Sequence, residues 1–327
     1  MDTVEGNAGS PGSFRESKVL AVVLHGLTRG IDLLCTQIRQ CFEPHYQVQI
    51  YATKYAGHGE ALARAAVLSG HYRLIAIGGD GTVSDVVNGM IQGAAELDKS
   101  AHELLRLGIL PRGSGNDFVR NFDQASNLQV LHEDIRQDRY QTIDTGFLQF
   151  KGSDGAKKSR YFINIADVGL GGVVAHRIST MPRWIPALLK YQYSIIRTIL
   201  QYRHQRVRIQ SPQSSREGKI LALILANGNY FGKGLGIAPY ASLRDGQISA
   251  VWIGQVSIRE YLRYLPRIRN CQPIDHDELR YFDCTALNID HLDHPLPIDL
   301  DGEFVGFTPA EVSVSRFGFN VYGQLRQ

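Results

Sequence analysis

Hydrophobic and polar positions divide the chain into two halves with different patterns. In the first half, short apolar runs alternate with segments whose apolar residues recur every three or four positions. The pattern predicts strands at 19–24, 46–52, 74–77 and 107–110, and helices at 31–42, 59–69 and 83–90. Strands that alternate with helices form parallel sheets covered on both faces. The sequence therefore predicts a doubly wound, Rossmann-like α/β domain over residues 18–144.

The second half consists mainly of short strands, predicted at 161–168, 219–226, 247–253, 286–289, 296–303 and 311–322. Such a pattern is typical of a mostly antiparallel β-sandwich, which we assign to residues 145–317. Two predicted helical insertions, at 184–203 and 257–267, interrupt it. Residues 1–17 are rich in Gly and Ser and are predicted to be a disordered leader.

A glycine-rich turn follows the apolar strand at 74–77. It comprises Gly78, Gly79, Asp80, Gly81 and Thr82, and a helix follows it. Because glycine has no Cβ, backbone amides there can approach phosphate oxygens, and the helix adds its partial positive charge. A carboxylate at this point would repel phosphates unless a cation such as Mg²⁺ lay between them. The turn therefore predicts a phosphate and magnesium site.

A second turn of the same kind follows the strand at 107–110. It comprises Gly113, Ser114, Gly115, Asn116 and Asp117, and Asn116 is predicted to cap the helix after it. In open α/β sheets such turns meet at the carboxyl ends of the strands, so both are expected to face one crevice. For either turn alone, a tight connection that merely needs glycine is the alternative.

Together, the motifs Gly78-Gly-Asp-Gly-Thr82 and Gly113-Ser-Gly-Asn-Asp-Phe118 resemble the diacylglycerol kinase catalytic family, which includes soluble bacterial lipid kinases and the sphingosine and ceramide kinases. The resemblance covers roughly residues 18–322 and continues, in the family's order, through Thr53 with Gly57-His58, Ile143–Gly146, Tyr161–Asn164, Leu243–Gly246 and Leu300–Glu303. It implies an enzyme that transfers the γ-phosphate of ATP, with Mg²⁺, to a hydroxyl of a lipid such as diacylglycerol. It also implies that the last strand, within 318–327, returns to the first domain.

The resemblance assigns roles to residues of both turns. The glycines, Ser114, Asn116 and Thr82 form the phosphate cradle, and Thr53 belongs to a segment that helps to hold the nucleotide. The catalytic Mg²⁺ is bound largely through water by Asp80, Asp117 and Asp144, and Asp245 would hold a second, structural Mg²⁺. For Asp80 and Asp117 the alternative is a helix cap, for Asp144 a cap or turn, and for Asp245 an ordinary Asp-Gly hairpin turn.

Three acids near the end of the chain, Asp299, Asp301 and Glu303, are predicted to alternate along one strand and to share one face. The resemblance makes Asp301 the general base for the lipid hydroxyl, with Glu303 supporting it or the metal. Solvated charges on an edge strand are the alternative.

The first loop departs from the family pattern. The family usually has Asn-Pro-x-Ser-Gly there, whereas this chain has His25-Gly-Leu-Thr-Arg-Gly30. Arg29 in this loop could neutralise phosphate charge, with ordinary surface charge as the alternative. The position of the loop is therefore predicted, and its nucleotide contacts are left open.

Composition restricts the setting and the partners. A net charge of +3 suits an anionic nucleotide or an anionic lipid surface and does not call for nucleic acid. Four separated cysteines favour a reducing cytosol. No apolar run approaches the roughly 18 residues that span a bilayer. We therefore expect a cytoplasmic protein that visits the membrane surface transiently. A homodimer is left open, because a strand that pairs between subunits looks like any other edge strand.

Two other functions fit parts of the sequence. An NAD-kinase-like enzyme would share the Gly-Gly-Asp-Gly turn, and a catalytically idle lipid-binding relative would explain the altered first loop. The second glycine turn and Asp301-Gly-Glu303 favour the lipid kinase.

Overall fold

The computed structural model describes residues 18–123, 127–182, 185, 190, 193–194, 197–198, 201–212, 214–315 and 317–326. The predicted leader, 1–17, lies outside these residues, as does most of the predicted helical insertion at 184–203. Most of the other predicted elements are present, with ends that differ by a few residues. The predicted strands at 161–168, 219–226 and 311–322 were wrong as continuous strands, since each covers parts of two.

The first part of the chain alternates strands with helices, as its apolar pattern predicts. Its strands are β1 (Val19–Leu24), β2 (Gln47–Ala52), β3 (Arg73–Gly78), β4 (Arg106–Pro111) and β5 (Tyr140–Ile143). Its helices are α1 (Ile31–Phe42), α2 (His58–Leu68), α3 (Asp80–Leu97) and α4 (Leu128–Arg136). Short 3-10 helices occupy Lys99–Leu104 and Phe118–Asn121.

The second part is rich in strands. These are β6 (Gly146–Lys151), β7 (Lys157–Phe162), β8 (Ile165–Gly169), β9 (Gln205–Gln210), β10 (Ser215–Ile220), β11 (Ala222–Ala226), β12 (Tyr230–Phe231), β13 (Leu235–Gly236), β14 (Ile248–Ile253), β15 (Leu279–Cys284), β16 (Ala286–His291), β17 (Pro297–Leu300), β18 (Glu303–Val314) and β19 (Phe319–Tyr322). Helices α5 (Leu170–Thr180) and α6 (Ile258–Arg269) lie among them. Helix α5 was not predicted.

The first sheet has six strands in the order β2-β1-β3-β4-β19-β5. Strands β1 to β4 are parallel, and β19 lies parallel to β4 and antiparallel to β5. Separate hydrophobic clusters cover its two faces, one with α2 and α3 and the other with α1 and α4. The predicted doubly wound α/β architecture is confirmed.

The second sheet has 11 antiparallel strands, and its central path runs β10-β9-β16-β18-β17-β8-β11-β14-β15. The long strand β18 pairs with β17 through its first residues and with β6 and β16 through its last ones. The sheet thereby folds over a core with side chains from both ends of this path. The predicted antiparallel, sandwich-like architecture is confirmed.

The predicted continuous strand at 296–303 was wrong. Strand β17 ends at Leu300, β18 begins at Glu303, and Asp301 and Gly302 form the turn with φ values of 50° and 92°. Positive φ at both central positions is what a two-residue type I′ hairpin turn requires, and Asp-Gly is a favoured sequence for it. Local turn chemistry therefore overrode the alternating pattern, so the three acids do not share one face of a single strand.

Contacts between α3 and β7 join the two sheets. Tyr161 donates its N–H to Asn88 Oδ1 (2.9 Å), and Asn88 Nδ2 donates to the Tyr161 carbonyl (3.0 Å). Arg160 donates to Glu60 on α2 (3.1 Å) and to Asp85 on α3 (2.9 Å). Because these groups are buried or partly buried, the contacts fix how the second sheet lies against the first.

The placement of strand β19 in the first sheet can be tested by mutation. Phe319 is 2% exposed within the core of that sheet, whereas Phe317 is 38% exposed and stacks on His102. We expect Phe319→Ala to lower the free energy of unfolding by about 3 to 5 kcal/mol. Phe317→Ala, the matched control, should cost about 1 kcal/mol or less. Urea titration measures both, and equal losses would contradict the placement of β19.

Candidate active site

A single cavity of about 2260 Å³ opens between the two sheets. Its lining includes most of the predicted site residues, namely Arg29, Thr53, Gly78, Gly79, Asp80, Gly81, Thr82, Gly113, Ser114, Gly115, Asp117, Asp301 and Glu303. Asn116, Asp144 and Asp245 are not among its lining residues. The predicted convergence of the two glycine turns on one crevice is therefore present.

The two glycine turns pack directly against each other. Strands β3 and β4 end side by side, with Gly78 opposite Pro111. A Cβ on Gly113 would lie 2.3 Å from the Gly79 Cα, and one on Gly79 would lie 3.1 Å from the Gly113 Cα. Only glycine allows this approach, which leaves backbone rather than side chain on the cavity surface.

Helix α3 points its first turn at the cavity. It begins at Asp80, and its N-cap residue Gly79 has no side chain that could cap the helix. The first N–H groups of a helix have no partner within the helix and carry partial positive charge. The start of α3 can therefore receive a phosphate oxygen.

Asp80 joins the first glycine turn to the second. Its Oδ1 accepts N–H bonds from Asp117 (2.8 Å) and Phe118 (3.2 Å). Burial raises the pKa of the Asp80 carboxyl, the two N–H groups oppose that rise, and the nearby charge of Asp117 adds to it. The carboxylate therefore orders the turn after β4.

Asp117 extends this connection to the second domain. Its Oδ2 accepts the N–H of Lys233 (2.8 Å), and its Oδ1 accepts the N–H of Gly234 (2.6 Å). The Arg120 guanidinium lies 3.3 Å from Oδ1. Asp117 therefore holds the loop at Lys233 and Gly234, in the second domain, against the second glycine turn.

The prediction that Asn116 caps a helix was wrong. Asn116 has φ 52°, accepts the N–H of Gly113 (2.9 Å) and donates to the Gly113 carbonyl (2.9 Å). Asn tolerates the left-handed region because its short side chain can bond locally. Its amide therefore closes the glycine turn, and the 3-10 helix starts beyond it at Phe118.

Thr53 and Arg29 lie at the edge of the cavity formed by the first loop. Thr53 Oγ1 accepts the N–H of Gly26 (3.1 Å), and a Cβ on Gly26 would lie 1.9 Å from the Thr53 carbonyl oxygen. The end of β2 therefore supports the backbone of the loop that carries Arg29.

Asp301 is held rigidly at the hairpin turn. Its Oδ1 accepts the N–H groups of Asn164 (3.1 Å) and Ile165 (3.0 Å), and its Oδ2 accepts that of Ile163 (3.3 Å). Burial raises the pKa of Asp301 to about 6, although these N–H groups oppose the rise. The result is a fixed carboxylate that is a stronger base than an exposed aspartate.

Glu303 reaches from the second domain to the first glycine turn, since a Cβ on Gly81 would lie 2.5 Å from its Oε1. Its surroundings raise the pKa of Glu303 through burial and then through the charge of Asp85, while Arg160 lowers it. The sequence interpretation did not single out Arg160. No local signal distinguishes this arginine from the charges around it.

Asp144 and Asp245 lie together at a different turn. Asp144 Oδ2 accepts the N–H of Gly246 (2.7 Å), and Asp245 Oδ1 accepts that of Gln247 (3.0 Å). Burial raises the pKa of Asp245, and the charges of Asp144 and Asp283 add to the rise. The structure thus places Asp144 beside Asp245 rather than with Asp80.

A second pair of acids, Asp167 and Asp299, lies opposite each other on β8 and β17 and also lines the cavity. Asp299 Oδ1 accepts the N–H of Gly302 (2.7 Å). Burial raises the pKa of Asp299 to about 7, and it raises that of Asp167 well above the ordinary value, with a further contribution from Asp299. The sequence interpretation missed Asp167, which stands within an otherwise apolar strand.

The carboxylates and backbone groups that line the cavity suit a nucleotide and a divalent cation. The charge of Asp80 raises the pKa of Asp301, so the two carboxylates repel each other across the site. A cation near Asp80 would relieve that repulsion, and Mg²⁺ commonly uses one or two carboxylates together with water and phosphate oxygens. The glycine turns supply the backbone that phosphates need.

Among the helices that the structure describes, none is both long and apolar enough to cross a bilayer.

Two protein-family models match the chain. Residues 20–148 match the diacylglycerol kinase catalytic domain, and residues 164–322 match the YegS C-terminal NAD kinase beta sandwich-like domain. The first match ends within β6, and the second begins just before β8 and ends with β19.

Curated relatives cover most of the chain. A Chromohalobacter salexigens protein named "Probable lipid kinase YegS-like" is 28% identical over 286 residues, which are 86% of each chain. The diacylglycerol kinase of Bacillus subtilis is 26% identical over 295 residues, or 89% of this chain and 92% of that protein.

Solved structures share the fold. A diacylglycerol kinase from Bacillus anthracis superposes with a TM-score of 0.67 at 18% identity, covering 95% of this chain and 98% of that one. Yeast NADH kinase complexed with NADH reaches a TM-score of 0.53 at 11% identity, covering 97% and 88%. The NAD-kinase alternative therefore shares the fold with this chain only distantly.

The raised pKa of Asp299 predicts a pH-dependent stability. Because its pKa rises from 3.8 to about 7 on folding, the folded state binds that proton more tightly than the unfolded chain. Its stabilising contribution is complete below about pH 4 and is lost as the pH rises through about 7. We expect Asp299→Asn, which can still accept the Gly302 N–H, to be more stable than the native protein at pH 8.

Urea titration at pH 5 and pH 8 measures this difference. Each pKa unit between the folded and unfolded states corresponds to about 1.4 kcal/mol, so the relative stability of the variant should rise between the two pH values. Asp275→Asn, at an exposed loop position, is the control and should show the same difference at both. If Asp299→Asn and the native protein differ in stability by the same amount at both pH values, the raised pKa is contradicted.

Proposed function

The chain belongs to the diacylglycerol kinase catalytic family of lipid kinases, and we propose that it transfers the γ-phosphate of ATP to a hydroxyl of a lipid such as diacylglycerol. The relatives named as diacylglycerol kinases or lipid kinases cover more than four fifths of the chain. Their names support this class of acceptor.

One observation carries the proposal: a single cavity has glycine turns and carboxylates in one part and an apolar chamber in another. Side chains of α5, α6 and the second sheet line this chamber, among them Leu170, Val174, Ile224, Tyr261, Tyr264 and Ile268. Its volume of about 2260 Å³ exceeds the roughly 300 to 1,000 Å³ of a pocket for one small ligand. It therefore has room for a nucleotide and a lipid chain together.

The nucleotide would bind where the two glycine turns meet. The start of α3 and the backbone of Gly79, Gly81 and Gly115 offer amides to the phosphates, and the hydroxyls of Thr82 and Ser114 lie at the same surface. Arg29 lines the cavity beside them and can neutralise phosphate charge.

Magnesium would be held mainly on the side of Asp80, with water and phosphate oxygens completing its ligands. When bound, it neutralises charge that develops on the transferred phosphoryl group. Asp117 would have a structural role here, since both of its oxygens accept backbone N–H bonds from the loop at Lys233 and so position the second glycine turn.

Asp301 would orient the lipid hydroxyl and accept its proton. Three N–H groups fix the carboxylate in the wall of the cavity. In a loose phosphoryl transfer the proton leaves late, so orientation of the hydroxyl is the main contribution of such a base. Glu303 reaches the first glycine turn. Together with Arg160, it would balance the charge near Asp301 and the phosphates.

A lipid substrate resides in a membrane, so the protein would visit a membrane surface to collect it. Helix α6 combines exposed Leu262 with Arg259, Arg263, Arg267 and Arg269, while Tyr261, Tyr264 and Ile268 line the cavity. Apolar and basic side chains together suit an anionic interface.

The first test is Mg²⁺-dependent transfer of labelled γ-phosphate from ATP to a panel of acceptors, which are lipid alcohols in mixed micelles and NAD. We expect Asp301→Asn to lower kcat by about 100-fold or more, which is the usual contribution of a general base. Asparagine tolerates the positive φ at this position and keeps an acceptor for the backbone N–H groups. Loss of activity therefore need not reflect misfolding.

Asp275→Asn, at the exposed loop position, is the matched control and should keep full activity. Label on NAD alone would support the NAD-kinase alternative. Lipid binding without transfer to any acceptor would support an idle relative.

The pH profile supplies a second test. Since Asp301 must be ionised to accept a proton and its pKa is raised to about 6, kcat/KM should rise about tenfold per pH unit below 6 and level off above it. Initial rates between pH 5 and 8, at saturating Mg²⁺ and on protein shown to be folded, measure this. A rate that does not change across that range would contradict a base at Asp301.

A further inference from the structure

Lys233 has an unusual backbone conformation for a lysine. It stands between Gly232 and Gly234, and the three residues have φ values of 60°, 70° and 90° in chain order. A positive φ is uncommon for any residue with a Cβ, and it is a clear outlier for a long side chain. Glycine would adopt this conformation without strain. Strained residues of this kind persist where the surrounding structure holds them, and they are concentrated at functional sites.

The other non-glycine residues with positive φ in the described part of the chain have local explanations. Asn116, Asp138 and Asp301 carry short polar side chains, which tolerate this region. Cys271 comes directly after the end of α6, where a left-handed residue is common. Lys233 has neither a short polar side chain nor a position after a helix.

Lys233 lies in the loop of a short hairpin. Strands β12 and β13 pair Phe231 with Leu235, which leaves Gly232, Lys233 and Gly234 as the connection. Hairpin loops of three residues use the left-handed region and favour glycine there. The hairpin therefore accounts for the backbone conformation, but glycine at position 233 would satisfy it better. The presence of a lysine indicates a use for its side chain.

Asp117 fixes the backbone of this loop beside the second glycine turn. Its Oδ2 accepts the N–H of Lys233 (2.8 Å), and its Oδ1 accepts that of Gly234 (2.6 Å). The N–H of Asp117 in turn donates to Asp80 Oδ1 (2.8 Å). A Cβ on Gly115 would lie 3.4 Å from Asp117 Oδ2 and 3.0 Å from Asp80 Oδ2. The backbone of Lys233 therefore lies close to the turn that contributes Gly115 to the proposed phosphate cradle.

Lys233 also brings positive charge to the cavity from the second domain. It is a lining residue, as are the glycine turns and the carboxylates of Asp80, Asp301 and Glu303. A nucleotide bound at these turns adds the negative charge of its phosphates to that of the carboxylates. The ammonium of a lysine is a compact charge on a flexible four-carbon stem, and lysine is a common phosphate ligand. Lys233 is thus placed to neutralise charge that Arg29 approaches from the first domain.

We propose that Lys233 binds the phosphate chain of the nucleotide and contributes to phosphoryl transfer from the second domain. The inference rests on the proposed function and adds a residue that contacts the nucleotide. The ammonium stays protonated and neutralises charge on the β- and γ-phosphate oxygens, so neither a proton nor a covalent bond passes through it. Glycine at this position would remove the strain and the charge together.

Nucleotide binding to the whole protein tests this contact without turnover. We expect Lys233→Gln to raise the Kd for ATP about tenfold or more, since a hydrogen bond between charged groups is lost. The Kd for AMP, which lacks the β- and γ-phosphates, should stay unchanged. Lys233→Arg keeps the charge and should remain within about threefold of the native affinity for ATP. Isothermal titration calorimetry measures these constants. Lys157→Gln, at an exposed lysine outside the cavity lining, is the matched control and should change none of them.

Lys233→Gly separates a structural role from a functional one. Because glycine adopts a positive φ freely, we expect Tm to rise by about 1 to 3 °C. At the same time kcat/KM for ATP should fall about tenfold or more, as in Lys233→Gln, while the KM for the lipid stays unchanged. Thermal unfolding and initial rates at saturating Mg²⁺ measure both effects. A gain in Tm without any loss of activity would overturn the proposal, because it would make the lysine a replaceable loop residue.

The outcomes distinguish this contact from the proposed function and from contact with a lipid surface. If the native protein phosphorylates a lipid and Lys233→Gln binds ATP as tightly as the native protein, the contact is overturned and the lipid kinase stands. If no lipid is phosphorylated but Lys233→Gln weakens ATP binding, the lipid acceptor fails and the contact stands. If Lys233→Gln loses activity only in micelles that contain anionic lipid, with its ATP affinity unchanged, the lysine contacts the lipid surface and the proposal is overturned.

Discussion

Two carboxylates, partly buried Asp80 and buried Asp117, hold the candidate site together. Asp80 accepts backbone N–H groups from the turn after β4, and Asp117 in that turn accepts N–H groups from a loop of the second domain. Each bond joins a charged acceptor to a backbone donor, which is among the stronger hydrogen bonds in proteins. The glycine turns and the loop at Lys233 therefore keep a fixed relation, and the proposed phosphate cradle depends on it.

Carboxylates that line the cavity also raise one another's pKa. Asp80 and Asp301 lie close enough for the charge of one to raise the pKa of the other, and Asp167 and Asp299 repeat that relation deeper in the cavity. A protein gains nothing in stability from crowding buried carboxyls together. Near the glycine turns the crowding suits phosphate and a cation. Asp167 and Asp299 line the same cavity, and burial raises the pKa of both carboxyls.

Sequence patterns were sufficient where structure is set locally. Strand β1 and helix α1 have the predicted ends, because apolar spacing along these segments determines which residues are buried. The two glycine turns were found because their composition and position after a strand are local facts. Their convergence followed from a general rule of parallel sheets. The fold class and the part of the cavity lining that the glycine turns form were therefore predictable.

What the sequence did not show depends on contacts between distant segments. The ion pairs of Arg160 become visible only when β7 packs on α2 and α3. Asp167 stands in a strand whose other residues are apolar or glycine, so nothing local indicates that it lines a cavity. Asp144 was expected near Asp80 but accepts a bond from Gly246 instead. The hairpin at Asp301 is a different case: the Asp-Gly signal was present, and the alternating pattern concealed it.

The position of β19 in the first sheet also orders events in time. Its neighbours β4 and β5 leave the ribosome long before residue 319, so the first sheet has an open position while the second domain is being made. A gap between two strands exposes unpaired backbone and apolar surface to other chains. The first domain is thus the first to be synthesised and the last to be completed. Until β19 enters, the edges of β4 and β5 are open to pairing with other chains.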